Sequence, residues 1–427
     1  MAKIDWSSLW KKEDWWAVWI GFLILAIVAT RIVAWTPKIP PKWTDITSVV
    51  PIGAIPYFIL LGIGLLALTS VAVVAMKENF KGYLAGFPSI FFLAFLALLL
   101  ANQKDIRYWG LEYVLWALIF GLLISNTVGV PKWLKPAVRT EMFIKIGLVL
   151  LGAEILFQVI LKAGVVSMAQ ALTVVLLVWY FCYFLALKLG VKKSLASILS
   201  TGVSICGVSA AIAAGGAIKG DPKEISYTIS MVLLLAVPML VVEPVIAGLI
   251  GLSEAVAGAW IGGTIDTTPA VVAAGELYSK KAMDVAAIVK LSQNVLIGVA
   301  AFLLALYWVF KVERKPEERP TPMEIWYRFP KFIVGFIVAS AVFSLVLMPA
   351  MGETAVSSIL SITKGMRAWF FSMTFVCIGL DTKFMELVKI GGGRPAAAFL
   401  LAQTFNIFLT LGLAYALFGG VFFPPPI

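Results

Sequence analysis

The chain contains no histidine. That removes the side chain used most often near neutral pH as proton shuttle, metal ligand and general base. Charge is scarce too. Asp, Glu, Lys and Arg make up 13% of the 427 residues, where a soluble protein carries about 25%. Composition therefore excludes an ordinary soluble domain. The three cysteines, Cys182, Cys206 and Cys377, lie in apolar runs. An odd number so placed excludes a disulfide framework, and they read as small buried packing residues. No Gly-x-x-x-x-Gly-Lys-Ser/Thr loop is found, so primary pumping by this chain alone is not expected. The start, "MAKIDWSSLWKKEDWW", leads into an apolar run too long for a signal-peptide core, so no cleaved leader is expected.

What is present is apolar sequence. Hydrophobic residues reach 61% and fall in blocks of about 20, the length that crosses bilayer hydrocarbon. Thirteen blocks centre near Leu23, Gly64, Phe95, Leu118, Leu150, Leu176, Cys206, Leu234, Ile265, Ile297, Ala339, Phe375 and Phe408. The expected fold is an all-α polytopic membrane protein with about 11–13 hydrophobic segments. The net charge of +11 sits in short connectors. There it sets orientation and meets anionic lipid head groups, and nucleic acid is not an expected partner. The connector from Lys311 to Lys331 holds six Lys or Arg and is expected in the cytoplasm. The N-terminus falls on the same side, and the uncharged tail "VFFPPPI" outside. The chain is expected to divide into N-terminal spans that serve as a scaffold (1–140), a core region (141–310), the cytoplasmic loop (311–331) and C-terminal spans (332–427).

Two polar, small-residue stretches interrupt the pattern. "TGVSICGVSAAIAAGGAI" begins at Thr201 and "GGTIDTTPAVVAAGEL" at Gly262. At a constant spacing of 60, Gly202 meets Gly262, Ser204 meets Thr264, and the "AAG" ending at Gly215 meets the one ending at Gly275. Glycine and proline break a helix, and backbone amides so freed must face protein or water rather than lipid. A helix that restarts after such a break points its positive end into the gap. Ser209 and Thr268 stand near the restarts. Two readings of these stretches stay open: full spans, or re-entrant hairpins of opposite orientation. Hairpins would move the connector that lacks basic residues, "GLIGLSEAVAGAW", outside and form an inverted repeat around a binding site. Plain helix packing through small residues is the structural alternative.

A second echo, at spacing 227, pairs Gly152 with Gly379, Glu154 with Asp381, Phe157 with Phe384, Lys162 with Lys389, and Gly164 with Gly391. The order of the two echoes does not fit one simple duplication.

Charge at mid-bilayer costs roughly 2.5 to 3.5 kcal/mol on insertion scales, so each such residue needs a reason. Asp266 lies at the second break, Glu243 in "LVVEPVIAG", and Lys290 in "IVKLSQN" with Gln293 and Asn294. Asp266 either couples an ion or caps the restarting helix. Lys290 either faces an anion or pairs with Asp266 or Glu243. Glu154 and Asp381 are expected near interfaces. The substrate-binding set is expected to be Ser204, Cys206, Gly207, Ser209, Thr264, Thr267, Thr268, Lys290 and Asn294, with Asp266 and Glu243 coupling an ion.

On the stretch "GVSICGVSAAIAAGGAIKGDPKEISYTIS", the "VVAAG" run, "VKLSQN" and the late "IGLDTKF", the chain resembles the YeiH-type family of sulfate exporters, over roughly Phe143 to Leu417. The resemblance implies a membrane transporter. Members typically show a histidine after the second break, where this chain has Asp266 in "GTIDTTP". Gln293 stands where a basic residue is common, and Glu243 where an apolar one is usual. A dianion such as sulfate is thereby less secure as cargo, and sodium coupling gains.

The expected function is secondary transport of a small anion: sulfate, a sulfonate, bicarbonate or a small carboxylate. Coupling to sodium or protons is open, no resident cofactor is expected, and a homodimer is expected by analogy. An anion channel and an intramembrane enzyme using Asp266 and Asp381 are the alternatives. "IGLDT" matches an aspartyl-protease glycine pattern only in part.

Overall fold

The computed structural model describes residues 8–30, 43–44, 55–104, 106, 113–155, 157–312, 326, 329–383 and 393–421. Most of the basic connector (313–325, 327 and 328), the echo positions Phe384, Lys389 and Gly391, Lys3, and the tail beyond Val421 lie outside them. Regular structure among the described residues is helical, apart from one isolated bridge between Trp43 and Gln103. In chain order the main helices are α1 (Glu13–Ala29), α2 (Ile55–Ala75), α3 (Phe80–Ala101), α4 (Tyr113–Thr127), α5 (Thr140–Glu154), α6 (Phe157–Lys188), α7 (Lys193–Thr201) and α8 (Gly207–Ala217). They continue as α9 (Pro222–Leu249), α10 (Glu254–Thr264), α11 (Thr268–Tyr278), α12 (Lys280–Tyr307), α13 (Phe332–Ala341), α14 (Glu353–Asp381) and α15 (Arg394–Phe418). Among the described residues, eight stretches are long and apolar enough to cross a membrane. That is fewer than the thirteen blocks, partly because α1, α4 and α5 have only 17, 15 and 15 residues.

The helices form two compact units. One comprises residues 3–157 and 331–383, the other 158–330 and 384–427. In the first unit, α14 runs against α4 and α5 through glycines. A side-chain carbon at Gly379 would fall 2.4 Å from the Leu118 carbonyl, and one at Gly147 would meet the Phe371 ring at 2.4 Å. Lys145 of α5 holds Asp14 at 2.8 Å, fixing α1 to α5. Glu154 and Arg367 form a buried ion pair at 2.8 Å, and the guanidinium also lies over Phe371. In the turn before α3, hydrogen bonding from Arg139 holds the Glu78 carboxyl below its usual range.

The second echo has a physical basis here. α5 and α14 end in the same way, on an extended residue, Ile155 or Thr382, whose amide bonds back to Gly152 or Gly379. Each final carbonyl meets a serine from a neighbouring helix. Ser340 donates to the Ile155 carbonyl, and the Ser125 hydroxyl lies 2.8 Å from the Thr382 carbonyl oxygen. The acidic residue before each end is held by the same unit: Glu154 by Arg367, and Asp381 by the Thr140 hydroxyl at 3.0 Å.

The second unit contains both interrupted stretches, and each doubles back. Ser194 bonds Glu224, and Gly202 abuts Thr228, so α7 runs parallel to α9. Gly207 abuts Val232 and Gly215 abuts Ile225, so α8 runs antiparallel to it. Residues Lys193–Ala217 therefore form a hairpin, although their length and hydropathy match a crossing helix. The reversal rests on Gly207, whose φ of +21° is available to glycine at little steric cost.

The second hairpin is built alike. Gly258 and Gly262 lie against the Ala282 and Ala286 carbonyls, so α10 runs parallel to α12. Gly275 meets Met283, and Asn294 bonds Thr268, so α11 runs antiparallel. The break covers Ile265, Asp266 and Thr267, and Pro269 opens α11, where its missing amide proton does no harm. The small-residue seam considered as an alternative is real on α10, where Gly258 and Gly262 bring the backbones of α10 and α12 together. It coexists with the break rather than replacing it. With 11 residues each, α10 and α11 are about 16 Å long, half a hydrocarbon core.

Candidate functional site

The two hairpins lie along opposite halves of α12. The first clusters Cys206 and Ala210 with Leu296 and Ile297, and its base, at Ile198 and Ile218, with Leu304 and Trp308. The second lies against Ala282 to Val289. Their tips meet level with Lys290 and Asn294. Cys206 Sγ is 3.5 Å from Thr268 Oγ1, which also accepts from Asn294 Nδ2 at 3.0 Å. A side-chain carbon at Gly207 would lie 3.0 Å from the Asp266 carbonyl oxygen.

The half-helix ends at the tips are treated asymmetrically. The carboxyl-terminal ends are satisfied by buried side chains. Lys290 Nζ donates to the Ile205 carbonyl at 3.0 Å, Gln293 Nε2 to Gly263 at 3.1 Å, and Gln403 Nε2 to Thr264 at 2.8 Å. Gln170 serves Ala259 one turn earlier. The amino-terminal ends are not served in this way. Neither α8 nor α11 has a side-chain cap, whereas α9, α10 and α12 are capped by Asp221, Ser253 and Ser279. Two uncapped, partly positive helix starts thus converge where the tips meet.

The expected site residues come together with some changes of role. Glu243, Asp266, Lys290 and Asn294 are all buried, at 3%, 2%, 1% and 2% exposure, so the meeting point is closed to solvent. Glu243 faces inward from α9 towards Thr264, Asp266 and Lys290. Ser209 and Thr267 are half-buried at the starts of α8 and α11. Asp266 does not cap α11. Lys290 forms no ion pair with Asp266 or Glu243 among the described residues; its donors go to Ile205 and to Gln293 Oε1. The Ser204 and Thr264 hydroxyls donate back into their own helices, to Ser200 at 2.7 Å and Trp260 at 2.6 Å.

Gln170 and Gln403 were not singled out in the sequence. The signal that marks them is an uncharged polar residue in an otherwise apolar span. Ser204→Ala is expected to lower thermal stability by about 1 kcal/mol or less, since only a local bond is lost. Gln403→Leu is expected to lower it by about 1–3 kcal/mol, because the Thr264 carbonyl is left bare. Melting curves of the two variants side by side check the difference. A groove of about 480 Å³ between α2 and α3 is lined by apolar residues such as Phe58, Phe91 and Phe95, and offers an anion almost no polar surface.

Comparison with known proteins places this architecture. The family model described as "Conserved hypothetical protein 698" matches residues 85–398, which include both hairpins and α12. A UPF0324 membrane protein of Rhodopirellula baltica is 44% identical over 394 residues, covering 90% of this chain and 72% of that one. The chain belongs to the UPF0324 family of membrane proteins. A UPF0324 relative from Nitrosomonas europaea is 30% identical, covering 90% of this chain and 91% of its own. One from Nitratidesulfovibrio vulgaris is 40% identical over 81% of this chain and 61% of its own length. No solved structure matches the UPF0324 chain. It is a multi-pass membrane protein, and its paired hairpins are the feature of the fold that concentrates buried polar groups.

Proposed function

We propose that this UPF0324 protein is a secondary transporter of a small anion, working by alternating access around the two hairpin tips. The observation that carries the reading is the convergence of two uncapped helix starts, those of α8 and α11, where the hairpin tips meet, while the neighbouring α9, α10 and α12 are capped. Such ends attract an anion without requiring a cation from a side chain. The candidate cargoes are sulfate, a sulfonate, bicarbonate or a small carboxylate, and the resemblance to YeiH-type exporters supports the first. A coupling cation is assigned to Asp266 and Glu243, the two buried carboxyls at the tips. The hairpins are read as the core of an inverted repeat, with the N-terminus in the cytoplasm and the C-terminus outside.

The test is counterflow in proteoliposomes holding the full chain, with radiolabelled sulfate, methanesulfonate, bicarbonate and malonate. Saturable exchange of at least one, competed by its unlabelled form, is expected. Flux that rises linearly with concentration would point to a channel. No flux of any of them above empty vesicles would remove the transporter reading.

A further inference from the structure

The identity of the coupling ion can be taken further, resting on the transport reading above. The tips hold a surplus of unsatisfied acceptors. Both Glu243 carboxyl oxygens, Asp266 Oδ2 and Asn294 Oδ1 are buried without a hydrogen-bond partner. The Thr264 hydroxyl, the donor nearest to hand for Glu243, is committed to the Trp260 carbonyl. A buried carboxylate left unpaired is costly, so each must be neutralised by a cation or by a proton.

Sodium sites at broken helices draw on the carbonyls that the breaks release. Here the carbonyls of Ile205, Gly263 and Thr264 each already accept a hydrogen bond, from Lys290, Gln293 and Gln403, which reduces what they can offer a cation. The ammonium of Lys290 itself occupies the first break, where a second cation would be repelled. No group of three or more acidic or cysteine side chains stands ready to hold a metal ion among the described residues.

We propose that the coupling ion is a proton, carried by Glu243 and Asp266. Among the described residues, the ionisable groups near these carboxyls are Lys290 from α12, which faces both, and Cys182 from α6, which faces Asp266, while Cys206 of the first tip faces Lys290. With both carboxyls ionised, the three charged groups at the tips sum to minus one, and an anion is repelled. With both protonated, Lys290 leaves the tips at plus one, and an anion is held between the helix starts. A proton taken from water on one side is returned to water on the other. Only O–H bonds form and break, and the anion moves with it.

The experiment uses the same proteoliposomes and whichever anion exchanges. With acid outside and alkaline inside, the wild type is expected to accumulate label, by about tenfold per coupled proton for one pH unit. Replacing sodium by choline on both sides is expected to leave that accumulation in place. Glu243→Gln and Asp266→Asn, which mimic the protonated carboxyls, are expected to lose accumulation while counterflow persists at a lower rate. That residual counterflow also shows the variants to be folded. Accumulation driven by a sodium gradient and indifferent to pH would overturn the proton assignment while leaving transport intact. Absence of counterflow for the wild type would instead sink the transport reading beneath it.

Discussion

Replacing Lys290 by methionine is expected to abolish anion uptake and to destabilise the protein by about 2–5 kcal/mol. The ammonium is 1% exposed and bonds the Ile205 carbonyl and Gln293 Oε1. Gln293 in turn bonds the Gly263 carbonyl in the other hairpin. One lysine and its neighbour on the next turn of α12 therefore tie the carboxyl-terminal ends of both broken helices together. Methionine fills most of the volume but donates nothing. It leaves two acceptors unsatisfied, at about 1–3 kcal/mol each, and removes the cation that faces Glu243 and Asp266. Lys281→Met, at an exposed position on the same helix, is the control. Melting curves and uptake on the same preparations check both parts. Wild-type stability in Lys290→Met would show that the strap does not hold the tips.

Gly207→Ala is expected to have an effect of the same order by another route. A methyl there would lie 2.3 Å from Val232 Cγ1 and 3.0 Å from the Asp266 carbonyl oxygen. The backbone at φ +21° is also one that alanine adopts only under strain. Overpacking of this kind costs about 1–3 kcal/mol, and the strain adds a similar amount. The two causes can be separated. Adding Val232→Ala relieves the clash with α9 and should recover part of the lost melting temperature. It relieves neither the strained φ nor the approach to Asp266, so uptake is expected to stay lost. Full recovery of uptake in the double variant would mean that the tip tolerates a side chain.

Much of this site was legible before the fold. The glycine at 207 and the proline at 269 mark both breaks, and Asp266 falls inside the second. The reversal of the chain was not decidable. Lys193–Ala217 has the length and hydropathy of a crossing helix, and a hairpin differs from a crossing only in a few backbone angles near Cys206. Of the two readings of Lys290, the carboxylate pairing does not form, because the wide turn Gly202–Cys206 brings a backbone carbonyl within reach. Gln403 was invisible for a different reason. Its acceptor, Thr264, is far away in sequence, and a single glutamine in an apolar helix announces no target. The echo at spacing 227 was readable as a pattern but not as a function. It marks two helix ends of the same build, after each of which the chain leaves the first unit.

The head-to-head meeting of the tips is open to a direct chemical measurement. Cys206 Sγ lies 3.5 Å from Thr268 Oγ1, so Thr268→Cys, combined with Cys182→Ala and Cys377→Ala, sets two thiols side by side from opposite hairpins. Membranes bearing this variant are oxidised with iodine, denatured under alkylating conditions and digested, and the peptides are read by mass spectrometry. A disulfide joining positions 206 and 268 is the expected product. Recovery of both positions as separately alkylated thiols would contradict two hairpins meeting at their tips.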